Sequence, residues 1–323
     1  MQSSYILIGG AGFIGSHFTD RLLADPSTTR VTLFDNFSAG RDWHFAAHLN
    51  DARLQVVRAD VKQMDALCAA MAGHRVVIHL ASNPDIARAV REPDIDFREG
   101  SLLTNNVLEA MRVTEANLLL YASGSGVYGD LGTVEAREDF GPLRPISTYG
   151  ASKLAGEAMI SAYAYMFGLR ASMFRFGNVV GARQTHGVGF DFVRALRRDS
   201  ARLRILGDGT QSKSYIHVGD VVDAVLLAAQ SQPEPCQVYN VATGDYITVR
   251  EIADLAVEVL GLSRGSVAYE FTGGDRGWKG DVPIVRLNCD RIRALGWKGS
   301  LPTREALRLS LSALLQDVDS GSI

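Results

Sequence analysis

The chain has 323 residues, of which 46% are hydrophobic and 21% charged, ordinary proportions for a globular protein with a sizeable core. Its formal net charge of −3 gives no reason to expect nucleic acid or an anionic membrane as a partner. Cys68, Cys236 and Cys289 are too few and too widely spaced for a disulfide framework or metal site, so we expect no metal and a reducing cytoplasm. A strand pattern already starts at Tyr5, so no signal peptide is expected, and no apolar run approaches the ~20 residues of a membrane-spanning helix.

Short apolar runs alternate with helical periods through the first half of the chain. The predicted strands are Tyr5–Ile8, Val31–Phe34, Leu54–Arg58, Val76–Leu80 and Leu118–Ser123, and the predicted helices are Ser16–Ala24, Met64–Ala70, Leu102–Val113 and Ser152–Phe167. Nearly unbroken apolar strands that alternate with helices indicate a parallel sheet covered on both faces. The predicted fold class is therefore α/β, with a Rossmann-type doubly wound parallel sheet.

The pattern is less regular after Asn178. We predict helices at Asp191–Arg197, Gly219–Ala229, Ile252–Leu260 and Leu301–Leu315, a turn at Gly207–Thr210, a strand at Gln237–Val241 and a loop at Thr272–Asp281. We interpret residues 1–177 as the Rossmann domain, joined by returning segments near 215–243. Residues 178–323 mainly form a smaller C-terminal lobe in this interpretation.

A glycine-rich segment, Gly9-Gly10-Ala11-Gly12-Phe13-Ile14-Gly15, links the first predicted strand to the first predicted helix. Gly9 permits a tight turn, Gly12 lets the backbone approach a pyrophosphate closely, and Gly15 allows the helix to pack closely on the strand. Free amides at the helix N-terminus would face the phosphates. The segment could be an ordinary tight turn, but its position between a strand and a helix favours a dinucleotide site. The candidate residues are Gly9, Gly12, Phe13, Ile14 and Gly15.

Asp35 ends the second predicted strand about 20 residues beyond the last glycine, where a carboxylate can bind the ribose 2′-hydroxyl of NAD. The same carboxylate would repel the extra phosphate of NADP, so we predict NAD; the alternative for Asp35 is a turn former. Two later strand ends fit the same site. Asp60-Val61 could meet the adenine amino group, and Leu80-Ala81-Ser82 could let the backbone reach the cofactor, although residues at strand ends are commonly just caps.

Tyr149 and Lys153 are four residues apart, so on a helix they share one face. A free phenol has a pKa of about 10 and is a poor base at neutral pH. A nearby ammonium and an oxidised nicotinamide would both lower the pKa of Tyr149, which predicts a general base beside a hydride acceptor. The same spacing also arises by chance on amphipathic helices, but its position after the fifth strand of a Rossmann domain favours catalysis.

With these residues in place, the chain resembles the extended short-chain dehydrogenase/reductases, and among them the UDP-galactose and UDP-glucuronate 4-epimerase-like sugar-nucleotide enzymes. The resemblance covers nearly the whole chain, and its motifs are Gly9–Gly15, Asp35–Arg41, Val127–Gly129, Tyr149 with Lys153, Arg175–Asn178, Gly207–Gly209, Tyr215–Val218 and Asp220–Val222. It implies tightly held NAD, with Asn36, Ser38 and Gly40 among the residues around it, and a nucleoside-diphosphate sugar, expected to be UDP-linked, in the smaller lobe.

The resemblance also assigns substrate contacts in the smaller lobe. Asn178 matches the family's substrate-contacting asparagine, and Arg276 resembles one of its two diphosphate-binding arginines. Lys213 stands where the epimerases usually carry the other arginine, and a lysine is a point charge that binds phosphate with a different geometry. For both cations the alternative is a solvated surface charge.

Two positions depart from the family pattern. The catalytic serine or threonine of the family falls on Gly124, which Ser123 and Ser125 flank. Either serine could supply a hydroxyl to the sugar O4, with Ser125 slightly favoured, and both could equally be small residues at a strand end. Gly100 stands where the family commonly has an asparagine on the cofactor side.

The function implied is inversion at C4 of a UDP-hexose through a transient 4-keto intermediate, with Tyr149 as the base. Family dehydratases carry an Asp-Glu pair where this chain has Ser125 and Gly126, so their chemistry is not expected. In the segment Gly181–Val188, the residues Arg183 or His186 could meet a sugar carboxylate, and Val188 is a further candidate contact. UDP-glucuronate 4-epimerisation is therefore the first alternative, and an exposed loop is the plain interpretation of this segment.

Two other classes of function are alternatives to epimerisation. A NAD-dependent nucleotide-sugar 4-dehydrogenase would release reduced cofactor, and a non-catalytic NAD-binding protein could share the fold. Gly124 supports the second possibility, while the retained Tyr149 and Lys153 oppose it. Family members are often homodimers, and the helices expected at that interface are Leu102–Val113 and Ser152–Phe167.

Overall fold

The computed structural model describes residues 3–231, 234–263 and 265–321, so the ends of the two predicted domain ranges, 1–2 and 322–323, lie outside it. In the first half the elements are β1 Ser3–Ile8, α1 Phe13–Ala24, β2 Thr28–Asp35, β3 Leu54–Arg58, α2 Met64–Met71, β4 Val76–His79, α3 Leu102–Thr114, β5 Leu118–Gly124, α4 Thr148–Phe167 and β6 Arg170–Phe176. The second half contains β7 Asn178–Val180, α5 Val188–Arg198, β8 Arg202–Ile205, β9 Ser212–Lys213, β10 Tyr215–His217, α6 Val218–Gln230, β11 Cys236–Val241, β12 Ile247–Thr248, α7 Val249–Val259, β13 Ala268–Phe271, α8 Asp290–Ala294 and α9 Thr303–Asp319.

Seven of the described strands form one sheet, in the order β11-β6-β5-β4-β1-β2-β3. Strand β1 pairs in parallel with β2 on one side and β4 on the other, so that Ile6 lies opposite both Thr32 and Val77. The pairs β2–β3 and β4–β5 are parallel as well. The chain therefore starts in the middle of the sheet and winds outward to both edges, which confirms the predicted doubly wound α/β fold.

The direction of winding reverses at β1, and ligands of such sheets bind beyond the carboxyl ends of the strands at that point. Strand β1 ends at Ile8, β2 at Asp35 and β4 at His79. Because these strands are parallel neighbours, their ends bring together the glycine-rich segment, the Asp35 carboxylate and the stretch Leu80–Ser82. The sheet topology thus builds the dinucleotide edge that the sequence predicts.

The sheet is covered on both faces, as its apolar strands indicate. Ile6, Leu7 and Ile8 point alternately to opposite faces of β1, yet each has no solvent-exposed area. An apolar cluster that includes Phe34, Val107 and other core residues packs against these strands. Burial on both faces explains why β1 shows no alternation of apolar and polar residues.

Several elements differ from the sequence-based predictions. Helix α1 starts at Phe13 rather than Ser16, because Gly12 is its N-cap. Strand β6 was not predicted, although six of its seven residues are buried. Strands of two to four residues, such as β9 and β13, were also missed, because so short a run shows no periodicity.

The chain divides into two compact units, Met1–Val127 with Thr148–Arg175 and Val222–Tyr239, and Tyr128–Ser147 with Phe176–Val221 and Asn240–Ile323. The second unit has its own apolar core, in which α5, α7 and α9 contribute Phe192, Leu255 and Leu311. Throughout the described ranges, none of the helices combines the length and the apolarity needed to cross a bilayer.

Gly156→Ala tests the close approach of α4 to β5. A Cβ at Gly156 would lie 2.4 Å from the hydroxyl oxygen of Tyr121, which is buried. Alanine gains about 1 kcal/mol of helix propensity over glycine, but overpacking costs about 1–3 kcal/mol. We expect a net loss of about 1 kcal/mol in the free energy of unfolding, measured by urea denaturation. Gly124→Ala is the control, because a Cβ there meets no atom within 4 Å; equal losses in both variants would contradict the prediction.

Candidate active site

The glycine-rich segment between β1 and α1 leaves no room for a side chain at Gly9 or Gly15. Gly9 has a φ of +82°, and a Cβ there would lie 2.7 Å from the backbone nitrogen of Ala81. A Cβ on Gly15 would lie 2.5 Å from the Gly10 carbonyl oxygen. Gly12 caps α1 without a side chain, so the first amides of the helix are open to a ligand at that end. This arrangement suits a pyrophosphate.

Asp35 ends β2 beside this segment. Its carboxylate accepts hydrogen bonds from the Ala11 amide at 3.0 Å and from the Phe37 amide at 2.7 Å, and the residue is buried. Burial raises the pKa of Asp35, and the two amides counteract that rise. Each carboxylate oxygen retains capacity for another donor such as a ribose hydroxyl. A carboxylate held in place beside a helix N-terminus that has no side-chain cap fits NAD.

Asn36, Ser38 and Asp60 form a linked polar group at the adjacent strand ends. The Asn36 side-chain amide donates to Asp60 Oδ2 at 2.9 Å, and the Ser38 amide donates to Asn36 Oδ1 at 3.0 Å. Burial opposes the charge of Asp60, but hydrogen bonds from Lys62 and Asn36 outweigh it and lower the pKa of this carboxyl. Gly40 fits closely as well, because a Cβ there would lie 3.0 Å from Asp35 Oδ1.

The remaining predicted cofactor positions would contact a cofactor through their backbone more than through their side chains. Phe13 and Val61 are buried, with exposures of 7% and 6%, and Ile14 is half-buried. The amides of Leu80 and Ala81 both donate to the Ile8 carbonyl, at 2.8 and 2.9 Å, which ties the end of β4 to β1.

Ser82 lies beside the predicted catalytic pair, because its side chain acts on Tyr149 and lowers the pKa of that phenol. Tyr149 lies in the first turn of α4, and Lys153 lies one turn later with its Nζ 5.5 Å from the centre of the Tyr149 ring. The Lys153 ammonium is buried, with 3% exposure, and donates to the Ala122 carbonyl at 2.8 Å. The structure therefore brings Tyr149, Lys153 and Ser82 together in the first unit.

The electrostatics of the pair differ from the prediction in one respect. Burial lowers the pKa of Lys153 to about 8, against the opposing influence of Asp96 and Glu157. Burial raises the pKa of Tyr149, whereas the hydrogen bond from Ser82 lowers it and Asp96 raises it further. The predicted lowering of the Tyr149 pKa is thus wrong for the protein groups alone, because desolvation of the phenolate outweighs its favourable contacts.

The two serines that flank Gly124 have different surroundings. Ser123 is buried, with 4% exposure, and its hydroxyl donates to Glu157 Oε1 at 2.6 Å. Ser125 is half-buried in the turn Ser125–Tyr128 that follows β5. A Cβ at Gly124 would meet no atom within 4 Å, so space for a side chain exists at this position.

The second family departure has a steric explanation. Gly100 lies in the π-helical turn Phe97–Ser101, just before α3. A Cβ at Gly100 would lie 2.7 Å from the Ser152 Oγ and 3.1 Å from its Cβ. The close approach of α4 therefore leaves no room for an asparagine side chain at position 100.

Two buried carboxylates near the pair were missed by sequence reasoning. Glu157 is 5% exposed and accepts hydrogen bonds from Arg175 Nε, at 3.0 Å to Oε1 and 3.3 Å to Oε2, and from Arg175 Nη2 at 2.7 Å to Oε2. Its spacing, four residues after Lys153 on the same helix, could have indicated it. Asp96 is 1% exposed and lies 53 residues before Tyr149 in the chain, so no local pattern could have connected the two.

In the second unit, both predicted diphosphate cations are paired with carboxylates. Lys213 Nζ lies 2.6 Å from Asp281 Oδ1. Arg276 donates through Nη2 to Asp130 Oδ2 at 2.5 Å and through Nη1 to the Asp281 carbonyl at 2.6 Å. These two cations are therefore not isolated surface charges.

The other predicted substrate residues are distributed over the second unit. Asn178 starts β7 and is half-buried, and its amide donates to the Ser214 carbonyl at 3.1 Å. Arg183 has a φ of +65° and lies close to Asp317 of α9, where burial raises the pKa of the Asp317 carboxyl and Arg183 opposes that rise. His186 is exposed, and Val188 is the first residue of α5.

Comparison with known proteins places this geometry in a family. Residues 5–242 match the model of the NAD dependent epimerase/dehydratase family. The chain is 32% identical to a UDP-glucose 4-epimerase of Mycolicibacterium smegmatis and 30% identical to a putative UDP-glucose 4-epimerase of Methanocaldococcus jannaschii, in each case over 94% of this chain and 95% of the relative. The Thermus thermophilus UDP-glucose 4-epimerase, solved in complex with NAD, superposes with a TM-score of 0.83 at 30% identity, over 96% of this chain and 98% of that one. The chain belongs to the NAD dependent epimerase/dehydratase family.

Proposed function

We propose that this chain is a NAD-dependent UDP-sugar 4-epimerase. The observation that carries this proposal is the Tyr149–Lys153 pair at the start of α4, with the Lys153 ammonium donating to the Ala122 carbonyl and the Ser82 side chain beside the phenol. The similarity to proteins named UDP-glucose 4-epimerase supports a UDP-linked hexose as the substrate.

Tyr149 is the group that moves the proton. In the proposed reaction its phenolate takes the proton of the sugar 4-hydroxyl, and its phenol returns that proton once the 4-keto intermediate has presented its other face. When bound, NAD supplies the hydride acceptor and donor for C4. Lys153 holds a positive charge one helical turn from the phenol, which favours the phenolate.

The residues around the Tyr149–Lys153 pair do not favour the related reactions of dehydration and UDP-glucuronate 4-epimerisation. Dehydration requires an acid and a base beside the tyrosine, and the corresponding positions here are Ser125 and Gly126. UDP-glucuronate 4-epimerisation is the second candidate, which rests on Arg183 and His186. We favour a neutral hexose, because Asp317 already attracts Arg183 and a sugar carboxylate would have to compete with it.

In the second unit, we propose that Lys213 and Arg276 bind the diphosphate and that Asn178 contacts the substrate. The support is that both cations are held in place by Asp281 and Asp130. We also propose a reducing, cytoplasmic setting, supported by Cys68, Cys236 and Cys289, which are free thiols.

Tyr149→Phe tests the reaction. Purified protein is incubated with UDP-glucose, UDP-galactose, UDP-glucuronate and dTDP-glucose, and inversion at C4 is followed by NMR. We expect the native protein to interconvert UDP-glucose and UDP-galactose, and the variant to lose about 10²–10⁴-fold in kcat because it lacks the proton-transfer group.

NAD content is measured in the same samples, because the variant should retain its cofactor. Turnover of UDP-glucuronate alone would overturn the neutral-hexose preference. Reduced nicotinamide accumulating in step with substrate would indicate a dehydrogenase, and unchanged properties of the Tyr149→Phe variant would indicate a non-catalytic protein.

We propose that Ser125, rather than Ser123, supplies the hydroxyl to the sugar O4. Ser123 already donates to Glu157, whereas Ser125 is half-buried in the turn that follows β5. Ser125→Ala should lower kcat about 10²-fold, as removal of a single active-site donor does, without changing stability. Ser123→Ala should lower the free energy of unfolding by about 1–3 kcal/mol, because Glu157 loses a buried donor.

Gly124→Ser provides the matched rescue. The open space at Gly124 accepts a side chain, so this change in the Ser125→Ala background should recover activity. If Ser123→Ala reduces kcat more than Ser125→Ala does, the assignment of the hydroxyl is reversed.

We propose that the protein is a homodimer through α3 and α4. Apolar side chains at the ends of these helices are exposed: Val113 by 59%, Tyr165 by 93% and Met166 by 67%. Adjacent exposed apolar residues of this size are typical of a protein interface. Met166→Asp should halve the mass measured by light scattering, while Val134→Asp, at an exposed residue of the second unit, should not. A monomeric native protein would contradict the proposal.

A further inference from the structure

Asp96 is a buried carboxylate with two neutral hydrogen-bond donors. It is 1% exposed and precedes the π-helical turn Phe97–Ser101. The Asn83 side-chain amide donates to its Oδ1 at 2.9 Å, and the Thr148 hydroxyl donates to its Oδ2 at 2.6 Å. Within residues 3–231, 234–263 and 265–321, it forms no ion pair at contact distance.

The two donors belong to the two segments that place the catalytic tyrosine. Asn83 directly follows Ser82, whose side chain lies beside the Tyr149 phenol and lowers its pKa. Thr148 directly precedes Tyr149. One carboxylate therefore links the segment that carries Ser82 to the segment that carries Tyr149.

The negative charge of Asp96 also acts on the catalytic pair. Its negative charge favours the ammonium form of Lys153 and disfavours the phenolate of Tyr149. A buried carboxylate without a cation at contact distance is costly, and a nearby buried ammonium is the charge that offsets it.

The other ionisable groups around Lys153 do not take this role. Glu157 on α4 is compensated by its ion pair with Arg175 on β6, at 2.7 Å. Burial lowers the pKa of His79 on β4 to about 3, so it is neutral. Tyr121 on β5 lies with its ring 5.2 Å from Lys153 Nζ, and burial raises the pKa of its phenol, so it is also uncharged.

We propose that Asp96 is a positioning residue of the catalytic centre, whose carboxylate aligns the Ser82–Asn83 and Thr148–Tyr149 segments and supplies the negative charge that keeps the Lys153 ammonium protonated. This rests on the proposed function only in that Tyr149 and Lys153 are the reacting pair. Its consequence is a pH range of activity set by a buried residue other than the reacting pair.

The direction of the effect follows from the sign of the charge. Removing the negative charge of Asp96 lowers the pKa of Lys153, because the ammonium loses a favourable neighbour. It also lowers the pKa of Tyr149, because the phenolate loses an unfavourable one. Both limbs of the pH profile of kcat therefore move to lower pH.

Asp96→Asn tests the proposal, and Thr148→Val is the matched control that removes one hydrogen bond but keeps the charge. The chain has five lysines, so lysine labelled with carbon-13 at Cε gives a spectrum in which Lys153 is identified by its loss in Lys153→Met. The NAD-bound protein is titrated by NMR. We expect the Lys153 midpoint to fall by about one pH unit in Asp96→Asn and to stay unchanged in Thr148→Val.

The titration does not depend on turnover, so it remains informative if the protein inverts no sugar at all. In active protein, the pH profile of kcat should move with the Lys153 midpoint in Asp96→Asn alone. An unchanged midpoint in Asp96→Asn, or an equal change in both variants, would overturn the proposal. Asp96→Ser provides a second neutral side chain, and failure of both neutral variants to fold would make Asp96 a folding residue and also overturn it.

Discussion

The burial of one ammonium group governs the arrangement of the first unit's polar core. Lys153 is almost wholly removed from solvent, and desolvation lowers its pKa to about 8. A charge in that environment persists only where oxygen atoms surround it. The Ala122 carbonyl supplies the direct contact, and the buried carboxylates of Asp96 and Glu157 supply the field. The end of β5, the start of α4 and the turn before α3 are therefore coupled through this one charge.

The same desolvation acts in the opposite direction on the neighbouring phenol. Tyr149 has a raised pKa, because burial penalises the phenolate more than the hydrogen bond to Ser82 favours it. The protein alone thus holds Tyr149 as an acid. A proton acceptor suited to neutral pH then requires positive charge from a bound ligand as well as from Lys153, which ties base strength to occupancy of the cofactor site.

Features that depend on neighbouring residues were predictable from the sequence, and features that depend on distant ones were not. The glycine turn, the strand ending in Asp35 and the helical spacing of Tyr149 and Lys153 are local patterns, and the structure contains each of them. Asp96 shows no such pattern, because its partners Asn83 and Thr148 lie 13 and 52 residues away. The Lys213–Asp281 pair spans 68 residues and was equally invisible. Desolvation is also a property of the folded interior, so no local pattern indicated that the protein groups alone raise the pKa of Tyr149.

The contact between Gly100 and Ser152 has an evolutionary consequence. A Cβ at position 100 would overlap the Ser152 side chain, whose own hydroxyl donates to the Tyr149 carbonyl at 2.9 Å. A larger residue at 100 therefore becomes acceptable only after Ser152 shrinks or α4 moves away. The two positions should covary among descendants of this sequence, with glycine persisting at one wherever serine persists at the other.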